Sequence, residues 1–198
     1  AIESLYEIII HLKTDKVISY FTPQQISDFT PAQLAHLNEK VILALSQNQI
    51  NKLNSAQLDN ITGKLGKNQI SWLSKSQISG LSDIGIDGII PKNVSYLNQD
   101  QIKAISPIQF KRFNQKTIQA FSPEQVQAFT PAQISNISNN AIQGMTQNQV
   151  KAFTVNQIHA LSPGQISSLS VLAIPGLTQS QIGALSLEQF SGLTPAQI

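Results

Sequence analysis

The sequence of 198 residues has no cysteine, one methionine, one tryptophan and only 12% charged residues. The absence of cysteine excludes disulfides, thiolate zinc sites and cysteine nucleophiles. Its apolar runs are only a few residues long, whereas a membrane-spanning helix needs about 20 apolar residues. The formal net charge of +2 does not indicate a strongly charged partner.

Charge is also unevenly distributed along the chain. From Phe121 onward, the only charged residues are Glu124, Lys151 and Glu188. We therefore expect the surface of the C-terminal part to consist of Gln, Ser, Thr and Asn side chains.

The dominant feature of the sequence is a repeat of eight residues, which we call an octad and name by the number of its first residue. Octads start at residues 14, 22, 30, 38, 46 and 54, resume at 66, and then follow every eight residues to 194. The stretch from Ser122 reads SPEQVQAF, TPAQISNI, SNNAIQGM, TQNQVKAF. The insertion Thr62–Leu65 is the one interruption, and self-similarity at a fixed period is typical of solenoid proteins.

Each position of the octad has its own preference. The first is Ser, Thr or Asn in 21 of 23 octads, the fourth is Gln in 16 of 23, and eight of the nine prolines stand second. These residues predict a helix N-cap, a first helical residue and a capping box. The fifth position is apolar in all 23 octads and the eighth in all 22 complete ones. These two apolar positions predict a hydrophobic staple across each cap, as between Phe129 and Ile134 or between Leu161 and Ile166.

Two other architectures are excluded by this pattern. In one continuous helix, eight residues advance by about 800°, so the apolar stripe would wind around the helix, and proline inside it would clash with the preceding turn. In a strand, the fifth and eighth positions would face opposite sides of the sheet.

The sequence therefore predicts an all-α solenoid of very short helices, one per octad, over residues 14–198, with irregular regions at 62–65 and 82–91. Residues 1–13 are expected to form an N-terminal capping helix. Positions two, three and six should face solvent, and the small seventh residue should let the chain turn. Gln-less octads at 90, 114 and 138 indicate about three octads per coil. Because the last octad stops at Ile198 in mid-repeat, we expect the natural protein to continue.

Few residues have the spacing of a chemical site. His11, His36 and His159 lack a second ligand at metal-binding spacing, and Asp83 and Asp87 lack the dense oxygen ligands of a calcium loop. No phosphate-binding or nucleophile-elbow motif is present. The Ser and Thr residues are interpreted as helix caps. We therefore predict no catalytic residue, no metal and no cofactor.

The candidate partner-binding residues are two aromatic and three basic side chains. Trp72 and Tyr96 stand at seventh positions, where small residues are usual, and are candidate aromatic anchors. Trp72 has the alternative role of filling space near the insertion. Lys111, Arg112 and Lys116 form a local basic cluster. For the Gln residues, capping is one role, and a row of amides bonded to one another is the alternative.

The octads resemble repeats of other proteins. The Leu-Thr-Pro-Ala-Gln-Ile type, at 193–198, resembles octapeptide repeat arrays of large bacterial secreted or surface proteins. Residues 185–198 (LSLEQFSGLTPAQI) are more loosely similar to the mesothelin–stereocilin group of superhelical proteins. Residues 122–126 (SPEQV) resemble the repeat opening of TAL-effector DNA-binding proteins, but those repeats are about four times longer and carry a base-reading loop that this chain lacks.

These observations predict a non-enzymatic scaffold or spacer for protein–protein interaction within a larger bacterial secreted, effector or surface protein. The resemblance implies a secreted or cell-surface location. One alternative is a nucleic-acid-binding array, although no regular Lys/Arg stripe is present. Another is the targeting region of an enzyme whose catalytic domain lies elsewhere.

Overall fold

The structure, a computed structural model, describes Glu7, residues 15–89 and residues 91–198, without the side chains of Asp15 and Lys92. The capping helix expected at residues 1–13 lies outside these residues apart from Glu7. The chain divides into two compact units, Ala1–Leu97 and Asn98–Ile198. Each unit is described below by itself.

The fold is all-α over the described residues, with one helix of four to six residues in almost every octad. In the first unit the helices are Asp15–Ile18, Pro23–Ser27, Pro31–His36, Glu39–Leu43, Gln47–Ile50, Ser55–Asp59, Lys67–Trp72, Lys75–Ser79, Asp83–Asp87 and Pro91–Val94, with a 3₁₀ turn at Thr62–Lys64. In the second unit they are Gln99–Ala104, Pro107–Phe110, Gln115–Gln119, Pro123–Gln127, Pro131–Ser135, Asn139–Ile142, Gln147–Lys151, Val155–His159, Pro163–Ser168, Gln179–Gly183 and Leu187–Ser191, with a 3₁₀ turn at Ile174–Gly176. The predicted solenoid of short helices is confirmed.

The helices begin where the sequence predicts. In octad 130, the Thr130 hydroxyl accepts a hydrogen bond from the Gln133 N–H at 3.2 Å. The Gln133 side-chain Oε1 accepts one in return from the Thr130 N–H at 2.8 Å, and Pro131 is the first helical residue. The same capping box recurs in most octads that have Gln at the fourth position, as at Ser122, Thr154 and Ser186. Local capping therefore starts each helix.

The core is formed by the fifth and eighth positions, as predicted. Ile134 and Ile137 illustrate this in octad 130, where both side chains are buried. Phe110, Phe113, Phe121 and Phe129 form an aromatic cluster in the second unit, with ring centroids 5.0 to 5.9 Å apart. Burial of apolar area at about 25 cal/mol per Å² stabilises helices that are too short to persist alone.

The Gln residue at the fourth position has a second role, which is to join successive coils through hydrogen bonds. We call these fourth-position residues the Gln ladder. The side-chain Nε2 of Gln133 donates to the backbone carbonyls of Ile102 at 2.8 Å and Ile105 at 2.6 Å. Gln149 and Gln157 bond in the same way to carbonyls 31 and 28 residues earlier. The alternative of amides bonded to one another is therefore wrong, because the partners are backbone carbonyls.

These contacts set the length of a coil. In the second unit the ladder spans 28 to 31 residues, and division by eight gives between three and four octads. Helix Pro107–Phe110 also packs on Pro131–Ser135, three octads further along. The expected three octads per coil is thus slightly too few.

The reason for a small seventh residue differs from the expectation. Ala120 and Ala160 at this position have ordinary right-handed helical backbone angles, with φ of −78° and −79°, which any residue can adopt. A Cβ on Gly144 would instead collide with the backbone of Gln115, and one on Gly176 with the backbone of Gln147. At Gly144 and Gly176 the seventh residue is small because the backbone of the previous coil passes close to it.

The insertion Thr62–Leu65 acts as a half-octad with its own ladder donor. Its Lys64 side-chain Nζ donates to the carbonyls of Ala35 at 2.6 Å and Leu37 at 2.8 Å. Gln57 before it and Gln69 after it bond the neighbouring carbonyls of the same coil. The Lys64 amine therefore takes the place of a Gln amide in the ladder at the insertion, where the octad is only half as long.

The irregular region at 82–91 packs against this half-octad and its neighbour. Octad 82 has Gly85 in place of Gln, and the Asp59 carboxylate accepts the Ser82 N–H at 2.9 Å, replacing the missing amide oxygen. A Cβ on Gly85 would collide with that carboxylate. The Thr62 hydroxyl donates to the Gly85 carbonyl at 2.9 Å. The region predicted to be irregular contains the short helix Asp83–Asp87.

Candidate functional site

The exposed surface of the second unit follows the octad positions, as predicted. Positions two, three and six are exposed in nearly every octad from 98 to 186. Lys151 and Glu188 are among the few charged residues there. The remaining exposed side chains are mainly amides and hydroxyls, together with eight large apolar side chains that include Leu172 and Leu187. This surface has little net charge and many hydrogen-bonding groups.

Trp72 is half-buried beside a cavity of about 210 Å³ in the first unit. Leu43, which is 47% exposed, lines the same cavity with Gly66 and Lys67. Trp72 lies near the insertion, because Gly66 directly follows Leu65, yet it keeps an accessible edge. Both roles considered for this residue remain predictions.

The other candidate residues belong to different units. Tyr96 is half-buried at the end of the first unit. Lys111, Arg112 and Lys116 are exposed in the second unit. Lys111 borders a cavity of about 310 Å³ with Ser138, whereas Lys116 borders a different and larger cavity. Lys111 and Lys116 thus line different cavities, and the role of the basic cluster in partner binding stays a prediction.

The larger cavity lies where three departures from the repeat meet. In the second unit, the octads without a ladder Gln are 114, 138 and 170, which carry Thr117, Ala141 and Ala173 at the fourth position. All three octads, together with Thr146 and Gln147, line a single cavity of about 470 Å³. We call it the amide groove, and its principal side chains are Gln115, Lys116, Gln119, Gln143, Gln147 and Leu172.

The groove replaces a step of the Gln ladder. By the ladder register of 31 and 28 residues, a Gln at position 173 would bond the carbonyls of Ile142 and Met145. Ala173 has no donor, and the chain of octad 170 turns before a 3₁₀ turn at Ile174–Gly176 instead of forming an α-helix. Leu172 is left 80% exposed at the edge of the groove, while Met145 is buried at its base.

Amide side chains form a network across one wall of the groove. The Nε2 of Gln115 donates to Asn140 Oδ1 at 3.0 Å and to Gln143 Oε1 at 2.9 Å, so it links two coils. Gln119 and Gln147 extend the amide-rich surface. Lys116 is the one charged side chain that lines the groove among the described residues.

Two other ionisable side chains, His36 and Glu124, have partners within their own octads. Among the described residues, no group of three or more His, Asp or Glu side chains is placed to hold a metal ion. The His36 Nδ1 lies 2.7 Å from the Ala32 carbonyl of its own helix. The backbone N–H of Glu124 and the Ser122 hydroxyl lower the pKa of the exposed Glu124 carboxyl, as expected beside a helix N-cap. No helix in the described part of the chain has the length and apolarity of a membrane span.

Of the residues singled out from sequence, only Lys116 lines the amide groove. The sequence analysis did not identify Gln143, Gln147 and Leu172. A single exposed Gln or Leu in a repeat protein carries no signal that distinguishes it from its neighbours. The usable signal was the absence of Gln from octads 114, 138 and 170. The sequence shows which octads lack Gln. Whether these octads lie next to one another in the fold depends on the number of octads per coil.

Comparison of the chain with protein-family models and with curated proteins gives no match.

Proposed function

We propose that this chain is a non-enzymatic helical scaffold that binds a protein partner within a larger bacterial secreted, effector or surface protein. The observation that carries the proposal is the regular exposure of positions two, three and six on a solenoid whose fifth and eighth positions form the core. Repeats of this kind place equivalent side chains at regular intervals along an extended surface.

The distribution of polar groups supports a binding role. The buried polar side chains among the described residues are amides and hydroxyls, and most of the amides belong to the ladder. The ionisable side chains in that part of the chain are at least partly exposed. Active sites usually hold buried ionisable groups with strongly shifted pKa values.

Site-specific photo-crosslinking tests the proposal. A benzophenone amino acid is placed in turn at the third position of each octad from Ser76 to Ala196, and the protein is irradiated in cells that produce it or in their secreted fraction. We expect protein adducts at a few positions separated by three or four octads, because such residues neighbour one another on successive coils.

Three other results would contradict the proposal. They are no adduct at any position, the same yield at every position, or adducts that nuclease treatment removes. The last would favour the nucleic-acid-binding array. An unirradiated sample of each variant is the matched control.

A further inference from the structure

We propose that the amide groove binds an extended peptide segment that carries an acidic side chain next to an aliphatic one. This inference rests on the proposed function and names the class of partner at one place on the scaffold. Its starting point is the meeting of the three Gln-less octads of the second unit at a single cavity.

The dimensions of the groove suit a short stretch of peptide. Its volume of about 470 Å³ lies within the range of about 300 to 1,000 Å³ that is usual for ligand sites. Octads 114, 138, 146 and 170 each contribute to the lining. The groove therefore extends across successive coils instead of lying within one octad.

The amide groups of the groove match a peptide backbone. A Gln side chain offers both a carbonyl acceptor and an N–H donor, and an extended peptide presents the same two groups in alternation. Gln119 and Gln147 line the groove, and Gln115 already bridges Asn140 and Gln143. Because Ala173 has no amide, the Met145 carbonyl lacks its ladder donor, which leaves an acceptor for a peptide N–H.

The charge of the groove indicates an acidic partner side chain. Lys116 is exposed and no Asp or Glu is among the lining residues in the described chain. A carboxylate of the ligand would therefore meet one cation without a competing anion. A nucleic acid would need a row of cations along its phosphates or aromatic rings for base stacking, and the groove lining has one lysine and no aromatic residue.

Leu172 and Met145 provide the apolar part of the groove. Leu172 is 80% exposed at the rim and Met145 forms part of the base. An aliphatic side chain of the peptide would cover Leu172 and remove its apolar area from water. Flexible Met side chains adapt to different aliphatic partners.

Fluorescence anisotropy with defined peptide pools tests this inference on the whole 198-residue chain. The probe is a pool of fluorescein-labelled, C-terminally amidated nonapeptides with a central Leu-Glu pair, and the comparison pool has Leu-Lys. We expect saturable binding of the Leu-Glu pool, weaker binding at high salt, and little binding of the Leu-Lys pool.

Two surface variants locate the binding. Lys116→Gln should weaken binding of the Leu-Glu pool about tenfold, because a hydrogen bond to a charged group contributes on that order. Leu172→Ser should weaken it several-fold. The matched control Lys151→Gln, an exposed lysine outside the groove lining, should bind as the parent does. Circular dichroism verifies that all three variants keep the parent helix content.

Three outcomes would overturn the inference. They are no saturable binding of either pool at about 1 mM protein, equal binding by the parent and both groove variants, or displacement of the peptides by a single-stranded oligonucleotide. If photo-crosslinking nevertheless yields position-specific protein adducts away from the groove, the scaffold function stands and only the groove assignment fails. If no position yields adducts, the scaffold function itself fails.

Discussion

At the scale of single residues, the ladder Gln has two roles that no other side chain combines. Its Oε1 closes the capping box of its own helix, and its Nε2 bonds two carbonyls of the preceding coil, as Gln133 does. A Glu can also close a capping box, but its carboxylate has no donor. This accounts for the sequence, in which the fourth position is Gln in 16 octads and Glu in none.

This dual role makes Gln133→Glu a sensitive substitution. The carboxylate would keep the cap but would face the Ile102 and Ile105 carbonyls without a proton to donate, in a site that is 1% exposed. We expect the free energy of unfolding at pH 7 to fall by about 3 kcal/mol or more, since an uncompensated buried charge costs that order.

Urea denaturation followed by circular dichroism measures the change. Gln127→Glu, at an exposed sixth position of the same unit, is the control and should stay within about 0.5 kcal/mol of the parent. Equal losses for the two variants would mean that the ladder contributes no stability.

Lys64 shows that the ladder requires a donor more than it requires a particular residue. Its amine reaches two carbonyls of the preceding coil from a chain segment only half an octad long. Asn93 is the opposite case: it donates to the Thr62 carbonyl at 3.2 Å, but its buried Oδ1 has no partner. Asn is one methylene shorter than Gln, so it fills only part of the same role.

At the scale of the helix, each element is too short to be stable without its neighbours. A helix of one and a half turns forms few internal hydrogen bonds, and these do not offset the loss of backbone entropy when the helix forms. Capping fixes where a helix starts, and packing against the next coil stabilises it. This packing is close at the seventh positions Gly144 and Gly176, because the backbone of the previous coil passes them directly.

A pair of glycines tests this close approach. Gly144→Ala would direct a methyl group at the backbone of Gln115, whereas nothing lies within 4 Å of a Cβ on Gly183. We expect Gly144→Ala to lower the free energy of unfolding by about 1 to 3 kcal/mol through overpacking. Gly183→Ala should raise it by about 0.5 kcal/mol, because alanine favours the helix.

Thermal and urea unfolding of the two variants separate these effects. If both alanines proved stabilising, the seventh position would be small for a reason other than coil contact.

At the scale of the molecule, the core of one octad is covered by octads three or four places further along the chain. The fifth-position side chains are buried as far as Ile166, whereas Ile182, Phe190 and Ile198 are 47%, 49% and 85% exposed. In this sequence, octads 178 to 194 have no octad three or four places further along to cover these side chains. Burial at a given octad position thus depends on the neighbouring coil and not only on the position itself.

Two substitutions at the same octad position measure this effect. Ile158 is 0% exposed and Ile182 is 47% exposed. We expect Ile158→Ala to lower the free energy of unfolding by about 3 kcal/mol, as for a buried Ile in a packed core, and Ile182→Ala by about 1 kcal/mol. Urea denaturation of both variants provides the comparison, and equal losses would exclude the covering role of the later coil.

The departures from the repeat become informative only at this scale. Thr117, Ala141 and Ala173 look like unrelated losses of Gln along the sequence. In the second unit their octads line one cavity. Octads 114 and 138 lie three octads apart, whereas octads 138 and 170 lie four octads apart. The three octads meet because neighbours across coils lie either three or four octads apart.

The local features of this protein follow from the sequence alone. The cap residues, the prolines and the two apolar positions predict where each helix starts and which side chains face the core, because all of these interactions lie within about eight residues. The coil length, the carbonyl partners of the Gln ladder, the substitution by Lys64 and the position of the amide groove were decided by the tertiary structure. They depend on contacts between residues 24 to 31 apart, and the packing of whole coils sets that separation.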